Sequence, residues 1–176
     1  MIANGTVRII QFKEEYIPEL RRVFYSSIHE NAKKFYNREQ LEAWAPILYD
    51  EDAWSNRIRK IKPFIAIFGE VVVGYADLQS DGYIDHFFVR GGYSDRGVAT
   101  ALMRKLFEVA KMNGLELLYS HVSLAAQRFF EKNGFKILRN QVVDRGEIKI
   151  ENALMELATA SIVNSGGTCE CSHLVK

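Results

Sequence analysis

The stretch of this chain best suited to chemistry is Val89-Arg90-Gly91-Gly92-Tyr93-Ser94-Asp95-Arg96-Gly97-Val98-Ala99-Thr100, which leads from an apolar run into an amphipathic one. Gly97 and Ala99 leave room for a ligand to approach the backbone. The first amides of a helix lack intrahelical partners and carry partial positive charge, so Asp95, Arg96, Gly97, Val98, Ala99 and Thr100 would offer successive N–H groups to a pyrophosphate. Taken alone, Gly-x-Ala at a helix start also reads as a tight turn. Neither Gly-Lys-Ser/Thr nor Gly-x-Gly-x-x-Gly with a later acidic residue is present, so the common nucleotide loops are not matched. Titratable side chains gather in two other runs, Tyr83, Asp85 and His86 before the loop and Tyr119 and His121 after it. If residues 83–89 form one strand, 83, 85, 87 and 89 share one face and 84, 86 and 88 the other. His86 then points away from Asp85 and reads as a packed or hydrogen-bonded core histidine. His121 is a lesser candidate for proton transfer, since imidazole titrates near neutral pH, and His29 shows no partner.

These residues need a frame, and the apolar periodicity supplies one. Residues 6–12 read as a strand and 14–27 as a helix with Pro18 in its first turn, where a missing N–H does no harm. Asn37 with Gln40 three residues on resembles a helix N-cap, and a further helix follows around residues 52–61. Residues 64–68 and 71–78 read as a hairpin about Gly69-Glu70, with a second turn at Ser80-Asp81-Gly82 before residues 83–89. Val98, Leu102, Leu106 and Val109 recur at helical spacing over residues 96–112, and Asn113-Gly114 closes that helix. A strand over 115–121, a helix over 124–133 closed by Gly134, and strands over 135–143 and 147–157 complete the order. The sum is an α+β fold, a mixed and mostly antiparallel central sheet flanked by helices. Phe24, Tyr25, Phe35, Tyr36, Trp44 and Trp54 crowd the N-terminal third. Most are expected in the core, with one or two lining a pocket.

The chain has 176 residues, enough to bury a core in one domain, expected over residues 1–158 with a polar, flexible tail over 159–176. With 23 basic and 22 acidic residues, no global field draws it to nucleic acid, so a phosphate site must be local. No apolar run is long enough to span a membrane, and no secretion signal opens the chain, so a soluble, cytoplasmic protein is expected. Cys169 and Cys171 form a Cys-x-Cys-x-His pattern with His173, but nothing nearby completes four ligands and no metal is expected.

Phe87-Phe88-Val89, a short loop, Tyr93 and Arg96-Gly97-Val98-Ala99-Thr100-Ala101-Leu102, followed by Ala126-Gln127-Arg128-Phe129-Phe130-Glu131-Lys132-Asn133-Gly134-Phe135, resemble the GCN5-related N-acetyltransferase (GNAT) family. The resemblance covers residues 6–157 and points to the small bacterial branch with a Phe-Phe-Glu-x-x-Gly-Phe variant. It implies a three-layer α/β/α fold and acetyl-CoA as co-substrate, with transfer to an amine on a small molecule or peptide. By the same resemblance Phe87, Phe88, Val89, residues 95–100, Ser123 and Phe130 belong to the cofactor site. The Val89 N–H would hydrogen-bond the thioester carbonyl and stabilise its oxyanion.

The chain departs from the family pattern at three positions. Ser94 stands where the loop begins with Gln or Arg, Ser123 where many members place Asn, and Phe130 where many place a Tyr that protonates the departing thiolate. A thiol of pKa about 8.5 leaving as thiolate at pH 7 forgoes roughly 2 kcal/mol, which water, Tyr119 or Ser123 could offset. Deprotonating a lysine-type amine costs about 4.6 kcal/mol at pH 7 and an α-amine about 1.2, so a base matters most for the former. The family's base or relay positions correspond to Asp85, with Tyr83 beside it. The competing reading of Asp85 is a carboxylate paired to a nearby Arg. A non-catalytic acyl-CoA-binding or regulatory domain is the rival to an enzyme, and a homodimer through a C-terminal strand is compatible with either.

Overall fold

The computed structural model describes residues 6–164, so Cys169 and Cys171 lie outside the described residues. Strand β1 (Val7–Ile10) is followed by a 3-10 turn over Glu14–Tyr16 and helix α1 (Ile17–Ser26), with Pro18 in the first turn as its sequence requires. The helical path continues beyond the expected end at Ser27 as one π turn, Ser27–Asn31. Helix α2 (Arg38–Trp44) opens with the expected capping box, Asn37 accepting from the Gln40 amide while the Gln40 side chain accepts from the Asn37 amide. Helix α3 (Glu51–Ile61) is capped by Asp50. There follow β2 (Phe64–Phe68), β3 (Val71–Ala76), β4 (Tyr83–Ile84), β5 (Phe87–Val89), α4 (Val98–Met112), β6 (Leu117–Ser123), α5 (Leu124–Lys132), β7 (Lys136–Arg145) and β8 (Ile148–Ala158).

The strands form two four-stranded sheets, β1-β2-β3-β5 and β4-β6-β8-β7, where the sequence reading expected one. Every pairing is antiparallel except β4 with β6. The reading of residues 83–89 as one strand is corrected accordingly: the chain breaks at Asp85-His86 and crosses between the sheets there. The buried residue Asp77 holds the break. Its Oδ1 accepts from the amides of Asp85 (3.0 Å) and His86 (2.6 Å), and its own amide donates to the His86 carbonyl (3.0 Å).

Helix α4 lies on one face of the first sheet, with Val98, Leu102 and Leu106 packed among Ala66, Val73 and Ala76. A Cβ at Gly74 would stand 2.9 Å from both the Phe88 carbonyl oxygen and the Val98 side chain, so glycine lets the start of α4 settle on β3. On the other face α1 and α3 pack Leu20, Val23 and Ile58 against Ile65, Ile67, Val72 and Tyr75. The π turn, the connection after it and α2 reach the second sheet by packing Ile28, Tyr36 and Leu41 with Ile150 of β8. The chain beyond β8 forms a 3-10 segment to Asn164, and Thr159 is bonded to the carbonyls of Leu115 and Glu116. No helix among the described residues is long and apolar enough to cross a membrane.

Candidate active site

The loop between β5 and α4 turns through left-handed Gly92 and Asp95 and ends at Gly97, the N-cap of α4, with φ of 77°. Glycine adopts that conformation without the strain a Cβ would add. The helical ladder begins with the Ala101 amide on the Gly97 carbonyl, so the N–H groups of Val98, Ala99 and Thr100 have no intrahelical acceptor. The first turn contains no acidic residue to compete for them. They line a groove of about 360 Å³, walled by the loop on one side and by Ser27, Asn31, Ala126 and Phe129 on the other. A phosphate fits this set of donors, because partial positive charge and free amides coincide.

Residues Phe88 and Arg90 face β3 in the ladder, as the bond from the Arg90 amide to the Val73 carbonyl (2.8 Å) shows. Antiparallel alternation then turns the N–H and C=O of Val89 away from β3, toward the gap between the sheets. The Val89 carbonyl accepts from Asn31 Nδ2 (2.8 Å), and Asn31 Oδ1 accepts from Ser94 Oγ (3.4 Å). The π turn thereby ties β5 to the loop, and such turns recur at functional sites.

Of the residues expected at the cofactor, Phe87, Phe88, Val89, Asp95, Gly97, Val98, Ala99, Thr100 and Ser123 all line this groove. The Arg96 side chain does not; its guanidinium lies over the rings of Tyr93 (5.3 Å) and Phe68 (5.9 Å). Phe130 is corrected from cofactor contact to core. It is 2% exposed and packs on Phe87, Phe129 and Phe135, with ring centroids 5.4, 6.1 and 4.9 Å away. The phase of α5 explains this, since Ala126 and Phe129 share the stripe facing the groove and Phe130 is turned to the sheets.

A second cavity of about 640 Å³ adjoins the groove, and Trp44, Phe88 and Ser123 line both. Tyr83, Asp85 and His86 all open onto this cavity, which corrects the expectation that His86 points the other way. The break held by Asp77 resets the strand alternation, so 85 and 86 share a side and Phe88 joins them, while Phe87 turns to the groove and the core. Asp85 Oδ2 accepts from Arg57, with Nε at 3.0 Å, and is 3.5 Å from His86 Nε2; the His86 Nδ1 is 3.0 Å from the Tyr75 hydroxyl. The Arg pairing weighed as the competing reading of Asp85 is therefore present. Burial, only partly opposed by the Asp85 charge, pushes the His86 imidazole down to about 4 and keeps it neutral at pH 7. Burial and the neighbouring Asp85 carboxylate raise the Tyr83 phenol to about 12. Burial also pushes Asp77 up to about 7, against the bonds from the 85 and 86 amides.

Tyr119 is not brought to either cavity. It pairs in register with Tyr83, stacks on that ring at 5.1 Å, and donates its hydroxyl to Asp81 (2.7 Å). His121 does reach the larger cavity and is hydrogen-bonded to Gln141. Arg57, Asp77, Asn31, Gln141 and Asn152 also belong to the site and escaped sequence reasoning. Each is a common surface residue type; Asp77 lies only eight residues before Asp85, the others on elements more distant in the chain, and no motif links any of them to it. Among the described residues no group of three or more His, Cys, Asp or Glu side chains could hold a metal ion.

Comparison with known proteins agrees with this geometry. A family model described as an acetyltransferase (GNAT) domain matches residues 32–155. The chain is 30% identical over 140 residues to the uncharacterized N-acetyltransferase YafP of Escherichia coli K12, a match covering 80% of this chain and 88% of that one. A crystal structure described as a GCN5-related N-acetyltransferase, from Rhodopseudomonas palustris, superposes with a TM-score of 0.81 at 27% identity, covering 90% of this chain and 98% of that one. The PaiA N-acetyltransferase of Thermoplasma acidophilum, solved with coenzyme A, gives a TM-score of 0.69 at 18% identity over 87% of this chain and 99% of that one. The amide-lined groove, the split sheets and these matches lead to one conclusion: the chain belongs to the GCN5-related N-acetyltransferase family and is an acetyl-CoA-dependent acetyltransferase.

Proposed function

We propose that the protein acetylates a primary amine by direct attack on acetyl-CoA within a ternary complex. The junction of groove and cavity carries this reading. Trp44, Phe88 and Ser123 are common to both, so an acyl group at the inner end of the groove meets an amine in the cavity. Acetyl-CoA, when bound, supplies a thioester whose carbonyl carbon is the electrophile. The amides of Val98, Ala99 and Thr100 hold the pyrophosphate, and the Val89 N–H, turned out of the ladder, stabilises negative charge on the carbonyl oxygen. Ser123 is the one acyl-accepting side chain type at the junction, and no histidine or carboxylate among the described residues hydrogen-bonds it. An unactivated hydroxyl is a poor nucleophile, which favours direct attack over an acyl-enzyme.

Asp85 is the group proposed to take the amine's proton, directly or through water, with Arg57 and Tyr83 fixing its carboxylate. Neutral His86 beside it accommodates the transferred proton's charge poorly and serves instead to orient Asp85. The reading is tested by following thiol release from acetyl-CoA with a panel of primary amines. Asp85→Asn is expected to lower kcat about a hundredfold while the CoA affinity measured by calorimetry is unchanged. Full activity in that variant would sink the assignment of the base.

A further inference from the structure

Asn152 of β8 lies in one rung of the second sheet, opposite Ser123 of β6 on one side and Gln141 of β7 on the other. All three line the larger cavity, and Ser123 also reaches the groove. Directly opposed cross-strand residues have Cβ atoms about 4.5–5.5 Å apart, so Asn152 stands one strand from the junction where the acyl group and the amine must meet. Its Oδ1 is the one buried side-chain nitrogen or oxygen atom without a hydrogen-bond partner among the described residues. The neighbouring amide of Gln141 bonds His121 and makes no bond to it. A buried acceptor left unpaired costs about 1–3 kcal/mol, and native proteins keep few of them. An unpaired oxygen on a residue that lines the substrate cavity is accounted for when the side chain turns it to a donor on the substrate.

We infer that Asn152 Oδ1 accepts one N–H of the acceptor amine and thereby selects primary amines over their N-alkyl counterparts. The inference rests on the acetyl-transfer reading above and sharpens its substrate class. A primary amine has two N–H bonds in its reactive neutral form. One is held by Asn152, on β8; the other proton leaves toward Asp85, at the β4–β5 crossing on the far side of β6. As the N–C bond forms the C–S bond breaks, CoA leaves as thiolate, and the amine's proton passes to the carboxylate. A secondary amine has one N–H and must give up either the anchor or the transfer. An anionic group in place of the amine would meet an oxygen that can only accept.

The test uses 2-phenylethylamine and N-methyl-2-phenylethylamine, chosen because Phe24, Trp44 and Phe88 wall the cavity. Turnover with acetyl-CoA is compared in the wild type, Asn152→Leu and Asn152→Asp, together with calorimetric binding of 2-phenylethylamine to the CoA complex. The wild type is expected to favour the primary amine by kcat/KM at least tenfold. In Asn152→Leu the KM and Kd for the primary amine should rise about tenfold, and the preference should collapse to within about threefold. The KM for acetyl-CoA should stay as it was, and the melting temperature should not fall, since an unpaired buried acceptor is removed. Asn152→Asp keeps an acceptor oxygen and should keep the preference. An unchanged preference in Asn152→Leu, a loss of it in Asn152→Asp, or no binding of 2-phenylethylamine to the wild type would overturn the inference. Failure of the wild type to turn over any primary amine would sink the transfer reading instead, and the binding comparison would still decide the role of Asn152.

Discussion

The groove and the cavity meet at three residues but are built on different principles. The groove's phosphate-facing donors are backbone amides, on one continuous stretch in which β5 ends, a loop turns and α4 begins, with the π turn and α5 walling the other side. The cavity is made of side chains converging from α1, α2, α3, both sheets and the β4–β5 crossing. A backbone site asks of its sequence only that nothing obstruct it, so its signature is local: a glycine at the helix start and no carboxylate in the first turn. A side-chain site asks for particular groups at particular distances, and those are set by the tertiary fold. Damage to the first should therefore remove donor binding outright, whereas damage to the second should change rate, preference or pH response and leave donor binding intact.

The largest expected effect tests the backbone half. Gly97→Glu adds strain at a positive φ and sets a carboxylate where a pyrophosphate would sit, so CoA affinity should fall about a thousandfold, roughly 4 kcal/mol. The cost is not steric, because a Cβ at Gly97 meets nothing within 4 Å. Calorimetry with CoA decides; wild-type affinity in the variant would mean that the amides of α4 do not hold the donor.

The next effect belongs to the cavity. Between about pH 4 and 6.5 the folded protein holds a proton on Asp77 that the unfolded chain would release, and lacks one on His86 that the unfolded chain would bind. The two contributions to the slope of stability against pH have opposite sign and offset each other. Asp77→Asn leaves His86 alone, and its lowered pKa should make stability fall as pH drops from 6.5 to 4, by on the order of 3 kcal/mol. His86→Gln leaves Asp77 alone, and its raised pKa should make stability fall as pH rises from about 4 through 7, by a similar amount. Urea unfolding at both ends of the window reads this directly. Curves that shift in the same direction in the two variants would contradict it.

The smallest effect sharpens the boundary between groove and core. Phe130→Tyr would bury a hydroxyl among Phe87, Phe129 and Phe135, with an expected loss of about 1–2 kcal/mol in stability and no gain in turnover. Faster turnover at unchanged stability would return residue 130 to the groove.

Much of the fold was legible in the sequence because its signals are local. The Asn37–Gln40 capping box, the Gly69-Glu70 hairpin and the apolar spacing of α4 each declare an element within a few residues. The break at Asp85-His86 was not legible. Nothing in residues 83–89 interrupts the pattern of a strand, and the group that breaks it is the Asp77 carboxylate, which takes both amides. That one unseen contact reversed the direction of His86 and made Phe88 a cavity residue. Phe130 escaped for a related reason, since a motif fixes a position in the chain but not the phase with which α5 meets the sheets.

The hairpin of β7 and β8 supplies Gln141, Val142, Val143, Asp144, Arg145, Ile150 and Asn152 to the cavity and no residue to the groove. This part of the acceptor cavity is thus inherited on a segment separate from the loop that meets the donor. A lineage could rewrite residues 141–152 and come to modify a new amine while its allegiance to coenzyme A, written in residues 89–100, passes down untouched.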